Sequence, residues 1–276
     1  MSPAMDGLCL THLRGGTFEA GNVGRVIERD DVDEIAVVRL AHGKVNALDL
    51  ELCEAITRTF AEVDAGPARA IVLTGSGRSF SAGVDLWRLL DAGEAYGKAF
   101  LSALVDAFEA VFTFGKPVVA AVNGHAVAGG CILVSGCDRR LMAAGSGRIG
   151  VTELPVGVPF PVSALEILRY ALGTQRTREA VLVGATYEPE AAVAKGYLDE
   201  VVPPERLLAD AVATARRLAG VPADTYRFTK DQLRRETVQR IARFRPEDDP
   251  RVAELWTARV ANGHIRGYME SVTRRS

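Results

Sequence analysis

The chain has 276 residues, of which 48% are hydrophobic and 25% charged, a composition typical of a globular protein with a substantial buried core. Its formal net charge of −2 provides no basic field that would favour nucleic acid or an anionic membrane as a partner. No apolar window approaches the length of a membrane-spanning helix, and the first residues carry no targeting pattern, so we expect a cytoplasmic protein.

The cysteines and histidines follow neither a disulfide framework nor a metal-ligand spacing. The cysteines stand among apolar or small residues without a C-x-x-C pair, which predicts reduced core thiols, and the scattered histidines predict that no metal is bound. These residues are Cys9, Cys53, Cys131, Cys137, His12, His42, His125 and His264.

Hydrophobic patterning divides the chain into three parts. Residues 1–22 are Gly-rich and aperiodic and predict an N-terminal extension. Residues 23–202 alternate short apolar runs with amphipathic segments, which indicates an α/β core built from crossover units. Residues 203–276 are charged and helical in pattern and form a predicted C-terminal helical region.

The elements are predicted in chain order from apolar periodicity and from Gly, Pro and capping signals. Predicted strands cover 25–28, 35–40, 70–73, 118–122, 141–144 and 199–202, with an acidic turn at 30–34 and a Gly/Ser-rich loop at 75–87. Predicted helices run from an Asp49 cap to Gly66, over 96–114, from 132 onwards, and over 162–172, 176–183 and 189–195.

A G-x-G-x-x-G pattern at Gly145, Gly147 and Gly150 does not predict a dinucleotide site. That site requires a helix to open at the last glycine, whereas prolines at 155, 159 and 161 follow and disfavour a helix. We interpret the glycines as a turn, and neither a G-x-S-x-G elbow nor a P-loop signature is present in the sequence.

Two small-residue segments that follow buried strands predict an anion site. Ala128, Gly129 and Gly130 precede a predicted helix, whose first N–H groups are unpaired, and residues 82–85 follow an earlier strand. One amide from each segment could converge on one oxygen, as an oxyanion hole requires. Simple close packing of the glycines is the alternative interpretation of either segment alone.

Glu153 is the candidate acid or base beside this site. Its apolar flanks, which include Val151 and Leu154, predict a buried carboxyl with a raised pKa, although a lone glutamate in a loop is more often a surface residue. A carboxyl of this kind is a usable base near neutral pH.

Several motifs in the same order resemble the crotonase, or enoyl-CoA hydratase/isomerase, superfamily from about Arg25 to Lys230. They are VNALD at 45–49, SFSAGVDL at 79–86, KPVVAAVNGHAVAGG at 116–130, GCD at 136–138, IGVTELPVG at 149–157 and AAVAKGYLDEVVP at 191–203. The resemblance implies a spiral of β-β-α repeats with a C-terminal helical trimerisation region, in a homotrimer or a dimer of trimers.

The resemblance also implies an acyl-CoA thioester as substrate, with coenzyme A as part of that substrate and no separate cofactor. It places the thioester oxygen between the amides of Val84 and Gly129 and makes Glu153 the catalytic carboxyl. The implied substrate and coenzyme A contacts are Ala47, Leu48, Ala82, Gly83, Asp85, Leu86, Trp87 and Gly130, with Lys230 as a phosphate contact.

Ile132 departs from the pattern of the hydratases in this superfamily. Those enzymes carry a glutamate at the position of Ile132 and a second at that of Glu153, since adding water needs both water activation and proton delivery. A single glutamate resembles the 3-enoyl-CoA to 2-enoyl-CoA isomerases of fatty-acid metabolism, which is the preferred hypothesis. A hydratase or other thioester enzyme that uses Glu153 alone and a non-catalytic acyl-CoA-binding protein are the alternatives.

Overall fold

A six-stranded sheet with a four-stranded sheet beside it forms the centre of the protein in a computed structural model that describes residues 26–273. The strands are β1 (Ile27–Val32), β2 (Ile35–Leu40), β3 (Ala70–Gly75), β4 (Ser79–Ser81), β5 (Val118–Val122), β6 (His125–Val127), β7 (Arg139–Ala143), β8 (Ile149–Gly150), β9 (Thr186–Tyr187) and β10 (Glu200–Val202). The large sheet has the order β1-β2-β3-β5-β7-β10, and the small sheet the order β4-β6-β8-β9.

Helices follow most pairs of strands and make up the C-terminal region. They are α1 (Leu50–Ala65), α2 (Leu86–Phe112), α3 (Gly129–Ser135), α4 (Glu153–Val156), α5 (Val162–Val183), α6 (Pro189–Lys195), α7 (Leu207–Ala219), α8 (Ala223–Ala261) and α9 (His264–Thr273).

The chain repeats a strand, strand, helix unit four times. After the first antiparallel hairpin, each unit adds its longer strand to the large sheet and its shorter strand to the small sheet, and the helix then carries the chain to the next unit. This arrangement is the predicted β-β-α spiral, and a helical C-terminal region follows it as predicted.

Both faces of the large sheet are buried, which explains the nearly continuous apolar runs of its strands. Alternate side chains of β3, such as Ile71 and Leu73, face the main core with α1 and α2. The intervening residues Ala70 and Val72 face a second core that α7 covers through residues such as Ala211. The strands in the middle of the sheet therefore have no solvent-facing side.

The predicted helix cap at Asp49 is present. Its carboxylate accepts a hydrogen bond of 2.9 Å from the Leu52 N–H, which satisfies one of the free donors at the start of α1. The helix ends before Gly66, and its predicted apolar residues are buried against the core.

The first strand lies later in the chain than predicted. The sequence predicted a strand at 25–28 and a turn at 30–34, whereas β1 extends through the acidic residues and turns at Asp33, where φ is 56°. The acidic side chains are tolerated because β1 is an edge strand that pairs only with β2 and exposes them to solvent.

Three further predictions are corrected by the structure. The loop at 75–87 contains β4, a strand too short to produce a pattern. Helix α2 starts at Leu86 and breaks at Gly93, where φ is 84°. Pro155 lies inside the short helix α4, because its missing N–H falls in the first turn, where no intrahelical acceptor exists.

The C-terminal region packs α8 against α5 and α9 against α2 and α4. The division of the chain at residue 203 stays a prediction, and residues 1–22 lie outside the described residues. Within residues 26–273, no helix combines the length and apolar character that a membrane span requires.

We predict that Gly124→Ala destabilises the fold whereas Gly97→Ala does not. A Cβ atom at Gly124 would overlap the carbonyl oxygen of Arg78, whereas one at Gly97 would lie 3.5 Å from Leu89 Cδ1, an ordinary contact. The first change should cost about 1–3 kcal/mol of unfolding free energy. The second, inside α2, should add up to about 1 kcal/mol. Urea denaturation of both variants tests this, and equal stabilities would contradict it.

Candidate active site

Three segments of the chain meet at the carboxyl ends of the short parallel strands. Strands β4, β6 and β8 pair side by side, and residues 82–85, 128–130 and 151–153 follow them in turn. The carboxyl edge of parallel strands is a common place for ligand sites because loops from several strands converge there. The predicted residues Val84, Gly129 and Glu153 are therefore brought to one edge of the small sheet.

The amide of Val84 faces away from its neighbouring segment. Leu48 forms an isolated parallel bridge with Val84 by donating to Gly83 O at 2.7 Å and accepting from Asp85 N at 2.9 Å. Since these two bonds use the residues on either side, the N–H of Val84 itself points to the opposite side. Among the hydrogen bonds of residues 26–273, none uses this N–H, which leaves it available to a ligand.

The amide of Gly129 is the first of helix α3 and has no acceptor in the preceding turn of that helix. The preceding residue, Ala128, holds φ at 50° and ψ at −121°, a conformation that costs a non-glycine residue about 1–3 kcal/mol. Its N–H donates to Gly150 O at 2.9 Å, which fixes the strained residue against β8. The strain thus orients the first amide of α3.

Two glycines let the Val84 and Gly129 loops approach each other. A Cβ atom at Gly83 would lie 2.8 Å from Val127 O and 3.5 Å from the Gly129 nitrogen. A Cβ atom at Gly130 would lie 2.5 Å from Ser81 O. Any side chain at either position would therefore push the two loops apart.

Glu153 begins α4 and is 8% exposed. Its Oε2 atom is buried without a hydrogen-bond partner among the described residues, so one carboxyl oxygen is free to exchange a proton with a ligand. Burial raises the pKa of Glu153 to about 7, and hydrogen bonds from the backbone of Glu153 and Thr152 offset part of this rise. The predicted burial of this residue is correct.

The turn that follows Glu153 is held by the C-terminal helices. Trp256 Nε1 donates to Pro159 O at 3.0 Å, and Arg259 Nε donates to Gly157 O at 3.2 Å. The turn also closes on itself, because Gly157 donates to Glu153 O at 3.0 Å. The position of the carboxyl therefore depends on both α4 and α8.

The other predicted contact residues mostly surround the Val84 loop. Ala47 and Leu48 lie beside the segment from Ala82 onwards through the Leu48 bridge, and Asp85 caps α2. The Trp87 side chain is 40% exposed at the start of α2. Ile132 is buried in the main core on α3.

Lys230 lies elsewhere, which corrects the prediction that it contacts a phosphate of the substrate. Its side chain is 6% exposed and its ammonium donates to Asp138 at 2.6 Å and to Lys116 O at 3.0 Å. Lys116 and Asp138 flank the amino end of β5, because Asp138 also accepts from Val118 N. The Val84, Gly129 and Glu153 segments follow the carboxyl ends of strands, at the other end of β5.

Two polar residues that the sequence analysis did not select fix the Val84 loop. Asn46 is buried with φ at 51°, and its amide group donates to Ser79 O at 2.9 Å and Ser76 O at 3.2 Å. Ser81 donates to Asn46 O at 2.7 Å and accepts from Gly83 N at 3.2 Å. The signal available in the sequence was an asparagine in an otherwise apolar segment, since asparagine tolerates positive φ.

The buried cysteines agree with the predicted core thiols. Cys53, Cys131 and Cys137 are buried and free, while Cys9 lies outside the described residues. Burial and the nearby Glu153 carboxyl both raise the pKa of Cys131, which keeps this thiol protonated.

A comparison with protein families identifies the fold. The enoyl-CoA hydratase/isomerase family matches residues 30–268, which is most of the chain. The chain belongs to this family. Its β-β-α spiral is the crotonase fold of that family, in agreement with the predicted resemblance.

Some relatives in this family are named hydratases and others are named isomerases. A Mycobacterium tuberculosis protein named "Probable enoyl-CoA hydratase echA8" is 31% identical over 220 residues, which cover 76% of this chain and 80% of the relative. Human mitochondrial enoyl-CoA delta isomerase 1 is 25% identical over 236 residues, which cover 84% of this chain and 78% of the relative. The crystal structure of human mitochondrial delta3-delta2-enoyl-CoA isomerase has a TM-score of 0.85 at 23% identity, covering 91% of this chain and all of that chain, and shares the fold.

We predict that Glu153 makes the protein less stable as pH rises. The folded-state pKa of about 7 lies above the ordinary value of 4.5. The folded protein therefore retains a proton that the unfolded chain releases. This stabilisation is fully present below pH 4.5 and is lost as pH rises through 7, about 3 kcal/mol in total.

The comparison of Glu153→Gln with the unmodified protein isolates this effect. Urea denaturation at pH 5, 6, 7 and 8 should find the variant gaining stability relative to the unmodified protein as pH rises. Glu190→Gln, at an exposed glutamate, is the matched control and should show no such trend. A difference between the Glu153 variant and the unmodified protein that is constant with pH would contradict the prediction.

Proposed function

We propose that the protein isomerises 3-enoyl-CoA to 2-trans-enoyl-CoA in fatty-acid metabolism. The observation that carries this proposal is the Glu153 carboxyl, which is buried with one free oxygen at the sheet edge where the Val84 and Gly129 amides lie. Its raised pKa of about 7 suits a group that must take up and return a proton near neutral pH.

In the proposed reaction, Glu153 Oε2 removes a proton from carbon 2 of the acyl chain. The electron pair of the broken C–H bond moves toward the thioester, whose oxygen gains negative charge as a dienolate forms. The N–H groups of Val84 and Gly129 stabilise this oxygen, and each such donor typically contributes about 3–4 kcal/mol to the transition state. Glu153, whose carboxyl proton can exchange with solvent at this stage, then delivers a proton to carbon 4, which leaves the double bond between carbons 2 and 3.

The proton transfer occurs within one substrate and oxidises or reduces nothing. We therefore propose that the protein works without a separate cofactor or metal, and that coenzyme A is a part of the substrate. The proposed contacts of the substrate and its coenzyme A moiety are Ala47, Leu48, the segment from Ala82 to Trp87, and Gly130.

Ile132 favours isomerisation over hydration. Its side chain is buried among apolar residues of the core, so the position that carries a glutamate in the hydratases offers no group to hold or activate water. Hydration by Glu153 alone is the second candidate function, because a relative of this chain is named an enoyl-CoA hydratase. A non-catalytic acyl-CoA-binding protein is the third.

We further propose a homotrimer or a dimer of trimers as the assembly. Large apolar side chains are exposed on α5 and α8, among them Leu182, Val183 and Phe228. Exposed groups of this kind are typical of surfaces that another subunit covers.

Replacement of Glu153 by Gln should remove the isomerase activity while substrate binding survives. Proton transfer by a positioned carboxyl contributes about 10²–10⁴-fold, so kcat should fall by that factor. The measurement is conversion of a 3-enoyl-CoA followed by absorbance, with deuterium incorporation from heavy water followed by mass spectrometry. Glu190→Gln should retain full activity.

The same assays separate the three candidates. Unchanged turnover by the Glu153 variant would refute the proposal. Formation of 3-hydroxyacyl-CoA from 2-enoyl-CoA at a rate above that of isomerisation would identify a hydratase. Binding of acyl-CoA without any proton exchange in the unmodified protein would identify a non-catalytic binder.

The rate should rise with pH as Glu153 loses its proton. A base acts only in its deprotonated form, so kcat/KM for the 3-enoyl substrate should increase tenfold per pH unit below its pKa and level off above it. The midpoint should lie near pH 7, at the pKa of about 7 for Glu153. A kcat/KM that stays constant between pH 5.5 and 8 would contradict the assignment of Glu153 as base.

A further inference from the structure

A cavity of about 470 Å³ lies between α5, the start of α8 and the amino end of β5. It is separate from the candidate active site, because Val118 and Asp138 mark the end of β5 opposite to the loops that carry the catalytic candidates. Its volume is in the range of small-molecule sites, about 300–1,000 Å³. Its lining includes the charged residues Asp138, Arg140, Lys230 and Arg234 and the apolar or aromatic residues Tyr170 and Leu233.

The charged groups around Asp138 include one more cation than carboxylates. Lys230 and Arg234 share the single carboxylate of Asp138, at 2.6 Å and 2.8 Å. Arg140 is paired separately with Asp199 at 2.8 Å, and Arg139 also lies 3.9 Å from Asp199. Lys230 and Arg234 therefore carry one positive charge more than Asp138, and a single negative charge would balance this group.

The surplus charge is buried, which makes it costly. Lys230 is 6% exposed and Arg234 is 4% exposed. Burial lowers the pKa of Lys230 to about 8, and the neighbouring Arg234 also lowers it, against the opposing effect of Asp138. A bound anion would offset this penalty, because an opposite charge stabilises the protonated ammonium.

Lys230 also has a hydrogen-bond donor to spare. An ammonium group carries three donors. Two of them are used by Asp138 Oδ2 and Lys116 O, and the ammonium also lies 5.9 Å from the centroid of the Tyr226 ring. Among residues 26–273, no third oxygen accepts from it. Because Lys230 lines the cavity, the remaining donor can serve a ligand there.

One side of the wall is apolar or aromatic, while Ser135, Thr225 and Thr229 add hydroxyl groups elsewhere. Tyr170, Ala171, Val221 and Leu233 lie on the side formed by α5 and the start of α8. A ligand that satisfies both parts of the wall needs one negative charge and an apolar body. A dianion such as phosphate would overcompensate the single surplus cation and leave the apolar wall unused.

We propose that this cavity binds a small organic monocarboxylate, with its carboxylate at Lys230 and its apolar end against Tyr170, Val221 and Leu233. The site is distinct from the proposed acyl-CoA site. Neither proposal requires the other.

Octanoate is the probe, and isothermal titration calorimetry of the full chain is the measurement. The unmodified protein should bind octanoate with a Kd of about 1 mM or tighter. Leu233→Glu places a competing carboxylate at the rim, where the side chain is 65% exposed, and should weaken this binding by about tenfold or more. Leu208→Glu, at an exposed leucine of α7 outside the cavity, is the matched control and should leave binding unchanged.

Lys230→Met provides a second variant inside the cavity. It removes the surplus cation and leaves Arg234 balanced by Asp138, so octanoate binding should be lost while the melting temperature is retained or raised. Octanoate bound at the Glu153 site is unaffected by these changes, so the difference in stoichiometry between the proteins counts the cavity alone.

Turnover of 3-enoyl-CoA by the unmodified protein and by the same variants tests the proposed function separately from octanoate binding. Absence of saturable octanoate binding overturns the cavity proposal, as does equal affinity in Leu233→Glu and Leu208→Glu. If sedimentation shows instead that a second subunit covers the cavity and excludes octanoate, the proposal is also overturned.

Discussion

Parallel pairing of β4, β6 and β8 is the constraint on which the candidate site depends. These strands have only two or three residues each, yet their pairing places the segments of Val84, Gly129 and Glu153 at one edge. So few backbone hydrogen bonds cannot stabilise a sheet alone. The longer strand of each repeat supplies the stability, because it lies in the large sheet with both faces buried. In each β-β-α repeat, the long strand thus provides a stable framework, and the short strand positions the segment that bears a candidate catalytic group.

Close backbone contact is the second requirement of this arrangement. A Cβ atom at Gly130 would overlap Ser81 O and one at Gly83 would overlap Val127 O, so the two amide-bearing loops approach each other through backbone atoms. Ala128 accepts an unfavourable conformation next to them. The fold therefore tolerates local strain at the position that orients an amide, and the buried neighbours of α3 hold it there.

The sequence was most informative where a signal is local and repeated. Helix α1, with its Asp49 cap, and strand β5 follow directly from periodicity and flanking residues. Strand β8, with two residues, is too short to produce a pattern, and Pro155 disguises the single helical turn that contains it, because proline disfavours a helix everywhere except in its first turn. Burial of Glu153 could be inferred from its neighbours in sequence, whereas the hydrogen bonds from α8 to the turn that follows it could not.

Lys230 shows why contacts between residues that are far apart in the chain could not be predicted from the sequence. Its partner Asp138 is 92 residues away in the chain, so no local pattern distinguishes a buried ion pair from a ligand contact. The motifs by themselves predict that Lys230 contacts the substrate, whereas the packing of α8 against α5 and the hydrogen bond from Lys230 to Lys116 O place it before the amino end of β5. The role of Asn46 could not be predicted for a related reason, since its hydrogen bonds reach residues about 30 positions later.

The C-terminal helices belong to the candidate site as well as to the helical region. Trp256 and Arg259 donate to carbonyl groups of the turn that follows Glu153, and Ile265 of α9 is buried in the same apolar core as Val156. A buried carboxyl whose pKa is raised to about 7 loses solvation, so the elements that exclude water from it also set its basicity. In this chain α8 donates to the turn that follows Glu153, and α9 packs against α4. The region predicted from residue 203 onwards therefore supports the segment that carries Glu153, even though it supplies none of the three groups proposed to act on the substrate.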